Sequence, residues 1–397
     1  MIDVWRSMAE KKYSCTILLT LFFSTVLKAE HSFSNYRDYP ITETAFKIEK
    51  VADNLSYPWG MSFIDKEYLL VTEKGGRLIK INVNNGEKMD ISHDIQSIRF
   101  DGGGASDQGG LLDVYIHDVD DYVYFTYSHD LKKSVSQRVK ERHSSSAIAR
   151  GKLENNKIID LEVLLVATPS QKEKKHYGSR IAIKDSILYA GFGERDLGMI
   201  AQDPRQHPGS IVRINLDGTV PDDNPASTTQ LNWLPELYQI GVRNSQGITV
   251  SPHDGEVYFS NHGPRGGDFI GLAKHGGNYG WKHIAWGGTK YNGFRIGHVP
   301  FSKEFDMPLI TWVPSPGVGS IHFYSGKVFP EWEGDLLVSA LKGKCLIRLD
   351  FLDGMIVGEE IIFKNKIGRI RDFEVDDVGN IFLISDDAAS GLWKLSK

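Results

Sequence analysis

Short apolar runs alternate with turns along most of this chain. Each run has the length of a β-strand, a turn residue precedes it, and a polar turn usually follows. Six such segments begin at Glu67, Asp121, Ser186, Gly255, Gly334 and Gly379. In the complete units a second run leads from a glycine through a leucine to a cation, as in Gly76-Arg77-Leu78-Ile79-Lys80. Repetition of this unit predicts an all-β chain folded as a β-propeller, with one sheet per blade.

Uneven spacing of the repeats places long insertions between the predicted blades. A β-sandwich is the weaker alternative, because its strands are evenly spaced and separated by fewer long insertions. The strand that starts at Thr44 is predicted to complete the last blade beside the C-terminal strands, which would cover two sheet edges. Equivalent loops of all blades meet at one mouth of the channel, so residues distant in sequence can form one pocket there.

The composition agrees with a fold of strands and turns. The 397 residues include 40 glycines, 11% aromatic residues and 24% charged residues; aromatic residues favour strands and glycines favour turns. An all-β fold of this length can be a single domain. The net charge of −5 provides no positive footprint for a polyanion, so nucleic acid is excluded as a partner.

The N-terminus resembles a secretory signal peptide. Arg6, Lys11 and Lys12 precede an uncharged run over 13–27, and Ala29 follows. We therefore predict a signal peptide at 1–29. The apolar part is too short to cross a bilayer, and an uncleaved anchor is the alternative.

The remaining residues, 30–397, are predicted to form the propeller domain. They contain no other long apolar run, so the mature chain is expected to lack a membrane span and to be periplasmic or secreted. Cys15 lies in the leader, which leaves Cys345 alone in the mature chain and excludes an intramolecular disulfide there. We interpret Cys345 as a buried small hydrophobic residue.

Three loop-like clusters lie close together in the middle of the chain, at Arg243–Gly247, His262–Asp268 and Gly276–Trp281. Their glycines and Pro264 would break a helix or a strand. Arginine and asparagine in such loops supply a fixed charge and an amide for a ligand. A structural corner explains any one cluster equally well, but three together favour a binding site.

Further polar residues stand at the ends of predicted strands. Gln108 precedes a glycine, His176 opens a strand, and Glu194 lies in the acidic turn after the next strand. A histidine and a carboxylate at neighbouring strand ends can form a general base with its orienting partner. The alternative for His176 is an ordinary surface histidine.

Three cations form a second group. Lys342 follows a strand, and Arg369 and Arg371 alternate along another, which places both arginines on one face. Cations directed at one point suit a multiply anionic ligand, whereas a solvated edge strand is the alternative. The sequence contains no zincin, kinase, α/β-hydrolase or dinucleotide-binding motif.

An ordered set of motifs then identifies a resemblance. The set reads LSYPWGMSF, DQGGLLDV, HYGSRIAI, GVRNSQGI, NHGPRGGD, GGNYGW, VSALKGK and RIRDF. These motifs resemble the glucose/sorbosone dehydrogenase family of soluble pyrroloquinoline quinone (PQQ) enzymes, and most closely the aldose sugar dehydrogenases. The resemblance implies a six-bladed propeller of four-stranded antiparallel blades, with PQQ on a bound Ca²⁺ at the channel mouth. It also implies oxidation of an aldose at C1 to the lactone, with electrons passing to an external acceptor such as a quinone or a cytochrome.

The resemblance also implies roles for individual residues. His176 matches the base that takes the C1 hydroxyl proton while hydride passes to the quinone C5. Glu194 stands where the family usually has an Asp beside that histidine. Arg243 and Asn244 match the pair that contacts the quinone carbonyl, and Gln108 matches another quinone contact.

The remaining matches concern charges and ions. Lys342, Arg369 and Arg371 match the cations that hold the carboxylates of PQQ, and Gly263 and Pro264 match backbone carbonyl ligands of its calcium. In relatives a Glu and the Tyr corresponding to Tyr279 help to bind a second, structural calcium. This chain has Phe269 in place of that Glu, so we expect the second site to be lost or weakened here.

Two other functions stay open at this point. Propellers also support calcium-dependent lactonases, which would need carboxylate and Asn ligands around a channel metal and no quinone. The cations Lys342, Arg369 and Arg371 argue against that function. The other alternative is a binding propeller without catalysis, which the joint presence of His176, Arg243 and Asn244 disfavours.

Overall fold

Six sheets surround a central channel in the computed structural model. The structure describes residues 32–99, 107–117, 119–132, 137–230 and 232–397. The first strand of each sheet contacts the first strands of its two neighbours, and the six form a closed ring. The chain is therefore a six-bladed β-propeller, as the motifs implied, and the sandwich alternative is wrong.

Four blades are four-stranded and antiparallel. Blade 1 contains Pro58–Phe63, Tyr68–Glu73, Leu78–Asn82 and Lys88–Ile91. Blade 2 contains Leu111–Ile116, Tyr122–Leu131, His143–Glu154 and Lys157–Val166. Blade 5 contains Val318–Phe323, Leu336–Ala340, Cys345–Leu352 and Met355–Lys364. Blade 6 contains Ile370–Val375, Ile381–Ser385, Ser390–Ser396 and Lys47–Leu55.

Blades 3 and 4 differ from the prediction because each has a fifth strand that pairs in parallel at its outer edge. Blade 3 contains Gly178–Lys184, Ile187–Phe192, Ser210–Asn215, Leu237–Ile240 and Gly277–Asn278. Blade 4 contains Ser245–Val250, Val257–Asn261, Asp268–Leu272, Ile310–Trp312 and Ser32–Ser34. The added segments cover edges that would otherwise expose unpaired backbone groups.

The predicted closure of the ring is confirmed. Strand Lys47–Leu55 pairs antiparallel with Ser390–Ser396, with Ile48 opposite Leu395. An early strand thus completes the blade formed by the C-terminal strands, and the chain cannot open at that blade without breaking this ladder.

The core lies between neighbouring blades. Tyr189 and Ile211 of blade 3, for example, pack with Ile248 and Phe259 of blade 4. Because both faces of a blade are covered, its second strand is largely buried, as Ile381–Ser385 is along its whole length, and such strands read as nearly continuous apolar runs. Cys345 is fully buried, as predicted, and burial raises the pKa of its thiol to about 12.

Helices are few and short in the described part of the chain. The α-helix is Pro225–Thr228, and the 3₁₀ helices are Tyr36–Asp38, Val139–Glu141, Gly198–Gln202 and Pro330–Trp332. None of these helices is long and apolar enough to cross a membrane. The predicted signal peptide at 1–29 lies outside the described residues.

Blade geometry determines where a site can form. The start of each first strand pairs with the end of the second, as Gly178 does with Phe192 and Ser245 with Asn261. Residues just before a first strand and just after a second strand therefore share one mouth of the channel. This position is the one that the candidate residues occupy.

Candidate active site at the channel mouth

His176 stands immediately before the first strand of blade 3 and is 5% exposed. Its φ of 51° lies in the left-handed region, which is unusual for a residue with a side chain. Its backbone N–H donates to Oε1 of Gln108 over 2.8 Å. Its ring nitrogen Nδ1 lies 2.6 Å from Oε1 of Glu194. The structure thus brings three of the predicted residues together.

Arg243 decides which ring nitrogen of His176 carries the proton. Its Nη2 lies 3.1 Å from Nε2 of His176, and a guanidinium can only donate. Nε2 must therefore hold a lone pair, so the proton is on Nδ1 and is donated to Glu194. Burial lowers the pKa of His176, and the positive charge of Arg243 lowers it further. The arrangement suits a neutral base that accepts a proton at Nε2.

Glu194 is held rigidly by the loop that follows the second strand of blade 3. Its backbone N–H donates to the carbonyl of Arg243 over 2.9 Å, and its Oε2 accepts the N–H of Gly198. The carboxylate is 1% exposed. An orienting carboxylate of this kind keeps a histidine in one tautomer and stabilises its protonated form.

Arg243 and Asn244 stand just before the first strand of blade 4. Nη1 of Arg243 donates to the carbonyls of His262 and Gly263, over 3.0 and 3.1 Å. Oδ1 of Asn244 accepts the N–H of Gly178 over 3.0 Å. Neither the side-chain NH₂ of Asn244 nor that of Gln108 has a hydrogen bond to another described residue, so both remain available to a ligand.

Of the three predicted cations, Arg369 and Arg371 lie side by side, whereas Lys342 does not join them. Arg371 is 7% exposed, and its two terminal nitrogens donate to Gln246 and Asp386, over 2.7 Å each. Its Nε is buried without a hydrogen-bond partner. Arg369 lies beside it, with Nη2 3.8 Å from Asp386. Lys342 is exposed and forms no ion pair with a described residue.

One cavity at the mouth is lined by four of the predicted residues. Gln108, Asn244, Arg369 and Arg371 all line it. Two further lining residues were not predicted from the sequence, Lys74 and Asp386. Lys74 follows the second strand of blade 1 and Asp386 follows the second strand of blade 6, the position that Glu194 has in blade 3. Comparing strand ends between repeats would have found both.

Asp268 is another residue that sequence reasoning missed. Its Oδ1 accepts the N–H of Gly263 over 2.8 Å, and its Oδ2 accepts the N–H groups of Gly317 and Val318 over 2.7 and 3.0 Å. Burial raises the pKa of Asp268 to about 6. The side chain ties the loop of Gly263 and Pro264 in blade 4 to the start of the first strand of blade 5.

The loop of Gly263 and Pro264 offers backbone oxygens to an ion. The carbonyl of Gly263 accepts one hydrogen bond, from Arg243, and the carbonyl of Pro264 accepts none from a described residue. Hard cations such as Ca²⁺ take oxygens of this type. Among described residues, the one His/Cys/Asp/Glu group that could share an ion is His176, Glu194 and Asp196, where the Nδ1 proton already occupies the space.

Tyr279 lies in an aromatic cluster. Its ring stacks on Phe269 at 5.0 Å between centroids, and its hydroxyl exchanges hydrogen bonds of 2.8 and 2.9 Å with the backbone of Leu272. Its carbonyl accepts the indole N–H of Trp286 over 2.9 Å. Both oxygens of Tyr279 thus accept a hydrogen bond from a protein group, and the described contacts give Tyr279 a packing role.

Fold and site together define a class: a six-bladed propeller with a buried histidine–carboxylate pair and a cavity lined by cations at the channel mouth. Sequence comparison agrees, because the glucose/sorbosone dehydrogenase family matches residues 55–394. The chain belongs to this family.

Individual relatives extend over most of the chain. The aldose sugar dehydrogenase YliI of Escherichia coli K12 is 29% identical over 357 residues, which cover 88% of this chain and 92% of that protein. The quinoprotein glucose dehydrogenase B of Acinetobacter calcoaceticus is 24% identical over 452 residues, with 91% of each chain covered. The crystal structure of the soluble aldose sugar dehydrogenase of Escherichia coli in its apo form superposes with a TM-score of 0.80 at 27% identity, covering 89% of this chain and 99% of that one.

Proposed function

We propose that this protein is an exported, PQQ-dependent aldose dehydrogenase that oxidises the C1 of a sugar to the lactone and passes the electrons to an external quinone or cytochrome. One observation carries the proposal: the His176–Glu194 pair and the Arg369–Arg371 cations lie at the same mouth of one channel. Family membership and the names of two relatives, an aldose sugar dehydrogenase and a quinoprotein glucose dehydrogenase, support it. Export rests on the predicted leader at 1–29.

The residues at the mouth fit a flat, multiply anionic cofactor. The unpartnered Nε of Arg371 needs an acceptor, because a buried donor without one is costly. Arg369 and Arg371 would bind carboxylates, with Lys342 at the rim, and the amides of Gln108 and Asn244 would donate to ring oxygens. The carbonyls of Gly263 and Pro264 would hold the calcium. When bound, PQQ supplies the hydride acceptor and the calcium polarises it.

The protein's own part of the chemistry is proton removal and electrostatic support. Nε2 of His176 would take the proton of the C1 hydroxyl once the sugar replaces Arg243 as its partner. Glu194 then stabilises the imidazolium through the Nδ1–H bond. The guanidinium of Arg243 keeps its charge throughout the reaction and would stabilise negative charge that develops on the bound cofactor, which is the usual role of a fixed cation in such a site.

The lactonase alternative receives less support from the site. It requires carboxylate and Asn ligands around a channel metal, whereas Arg369, Arg371 and Lys74 line this cavity together with Asp386, the one acidic residue among its described lining. A neutral lactone gives these cations nothing to bind.

The proposal is tested by reconstituting purified protein with PQQ and Ca²⁺ and measuring dye reduction with a panel of mono- and disaccharide aldoses. We expect turnover that falls by at least about a hundredfold in His176→Gln, with PQQ binding retained. His298→Gln is the matched control, because His298 is exposed and its side chain has no hydrogen bond or ion pair with a described residue. Bound PQQ without turnover of any aldose would disprove the sugar assignment, and equal turnover in His176→Gln would disprove the role of the base.

A further inference from the structure

Lys74 is a buried cation that is not among the residues proposed above to contact the cofactor. It is 3% exposed, lines the cavity at the mouth, and directly follows the second strand of blade 1. Its Nζ lies 2.9 Å from Oδ1 of Asp386 and 5.0 Å from the ring centroid of Tyr57. An ammonium has three N–H donors, and Asp386 is the one described carboxylate that forms an ion pair with it. The other donors face a ring and the cavity.

Asp386 is the shared counter-ion of three cations. It pairs with Lys74, with Arg371 over 2.7 Å and, more loosely, with Arg369 over 3.8 Å. Burial raises the pKa of the Asp386 carboxyl, but Arg371 and Lys74 lower it by more, to well below its usual value. These three cations share one described carboxylate, and two of them, Lys74 and Arg371, are buried, whereas the Arg369 side chain is 38% exposed. The described part of the cavity thus holds more positive than negative charge. Charges of this kind are costly to bury unless a ligand compensates them.

We propose that Lys74 is a further carboxylate-binding residue of this cavity, and that Asp386 is the internal counter-ion that stabilises Lys74 and Arg371 before an anionic ligand arrives. The remaining donors of Lys74 and the orphaned Nε of Arg371 have no acceptor among the described residues, and both side chains line the cavity, where an anionic ligand would supply one. The ligand class is an organic acid with at least two carboxylates. The inference rests on the proposed function only in naming PQQ as that acid.

Equilibrium binding tests the role of Lys74 without any turnover. The probes are PQQ and benzene-1,3,5-tricarboxylate, each titrated into the full-length protein with Ca²⁺ present. We expect Lys74→Gln to weaken binding of both probes on the order of tenfold to a hundredfold, because a charge-assisted hydrogen bond is lost from a buried site. Lys74→Arg should retain affinity within a few-fold, since it keeps the charge.

Lys66→Gln is the matched control, because Lys66 is an exposed lysine paired with Asp377 and lies outside this cavity. Wild-type affinity in Lys74→Gln would overturn the proposal. If that variant fails to fold, ¹⁵N-lysine NMR of the wild-type protein replaces it: each probe should shift the Nζ resonance that Lys74→Arg removes, and an unchanged resonance would contradict the proposal.

Asp386→Asn tests the counter-ion. Without the carboxylate, the three cations repel one another, so the ligand-free variant should melt at a lower temperature than the wild-type protein. An anionic ligand then supplies the missing charge, and PQQ should raise the melting temperature of the variant by more than it raises that of the wild type. Equal increases in both proteins would contradict the role of Asp386.

The outcomes separate this inference from the proposed function. A wild-type protein that binds both probes through Lys74 but oxidises no aldose retains the inference and loses the sugar assignment. Binding of the tricarboxylate alone, dependent on Lys74, retains the carboxylate site and removes PQQ as the cofactor. A wild-type protein that binds neither probe overturns the inference itself.

Discussion

Oε1 of Glu194 lies 2.6 Å from Nδ1 of His176, and both side chains are buried. On the other side of the imidazole, Arg243 donates to Nε2. The two neighbours act on the pKa of His176 in opposite directions: the charge of Arg243 lowers it, whereas the hydrogen bond and charge of Glu194 raise it. Replacing Glu194 should therefore move the acid limb of the pH–rate profile to lower pH, and replacing Arg243 should move it to higher pH.

Glu194→Gln should lower kcat by at least about tenfold, because an amide stabilises the imidazolium less than a carboxylate does. The acid limb of kcat/KM should move to lower pH, since the influence that raises the pKa of His176 is removed. The measurement is the pH profile of the reconstituted enzyme. Glu194→Asp is the control, and its activity should lie close to wild type because it keeps the charge. An acid limb that moves to higher pH would contradict the assignment.

Arg243→Met should change the pKa of His176 in the direction opposite to Glu194→Gln. Removal of the guanidinium raises the pKa of His176, so the acid limb of kcat/KM should move to higher pH. The rate should also fall on the order of a hundredfold, the scale reported for removing one electrostatic contact from an active site. Arg243→Lys, which keeps the charge but loses the paired contacts to His262 and Gly263, should shift the limb less. PQQ occupancy is measured by absorbance in parallel, and an unshifted limb at full occupancy would refute this account.

Asp268→Asn should loosen two loops at once. An amide can accept only through its oxygen, so its NH₂ would face the N–H groups that Oδ2 of Asp268 now accepts from Gly317 and Val318. We expect a loss of about 1 to 3 kcal/mol in unfolding free energy and a higher Ca²⁺ concentration for half-maximal activity, because the loop of Gly263 and Pro264 loses its anchor. Ser315→Ala removes an uncharged acceptor, whose hydroxyl takes the backbone N–H groups of Gly266 over 3.0 Å and of Asp268 over 3.3 Å, and it should have the smaller effect on both quantities because the Asp268 carboxylate stays in place.

Phe269→Glu should destabilise the protein rather than create an ion site. Phe269 is 2% exposed and packs against Tyr279 and Phe259, so the new carboxylate would be buried without a partner. A loss of more than about 3 kcal/mol is expected, whereas Phe269→Leu should cost less. Thermal melts with and without Ca²⁺ give the decisive comparison. Full recovery of stability by Ca²⁺ in Phe269→Glu would show that the second site is still available.

The strand pattern and the order of the motifs predicted most of the fold. The repeated strand unit predicted a propeller, and the apolar run from Thr44 predicted the strand that closes blade 6, because a sheet edge needs a partner wherever it lies in the chain. The fifth strands of blades 3 and 4 were not predicted. Gly277–Asn278 and Ser32–Ser34 are too short to show a strand period, and only the edge that they meet makes them strands.

The sequence by itself determined the all-β class, the position of the candidate residues at strand ends and the kinds of charge available: a histidine, a carboxylate and several cations. Tertiary structure alone decided which charges meet. Lys74 and Asp386 pair across the join between the first and last blades, Lys342 is left exposed, and Arg243 determines the tautomer of His176. These relationships depend on distances of a few ångströms between residues far apart in the chain, and only closure of the ring brings those residues together.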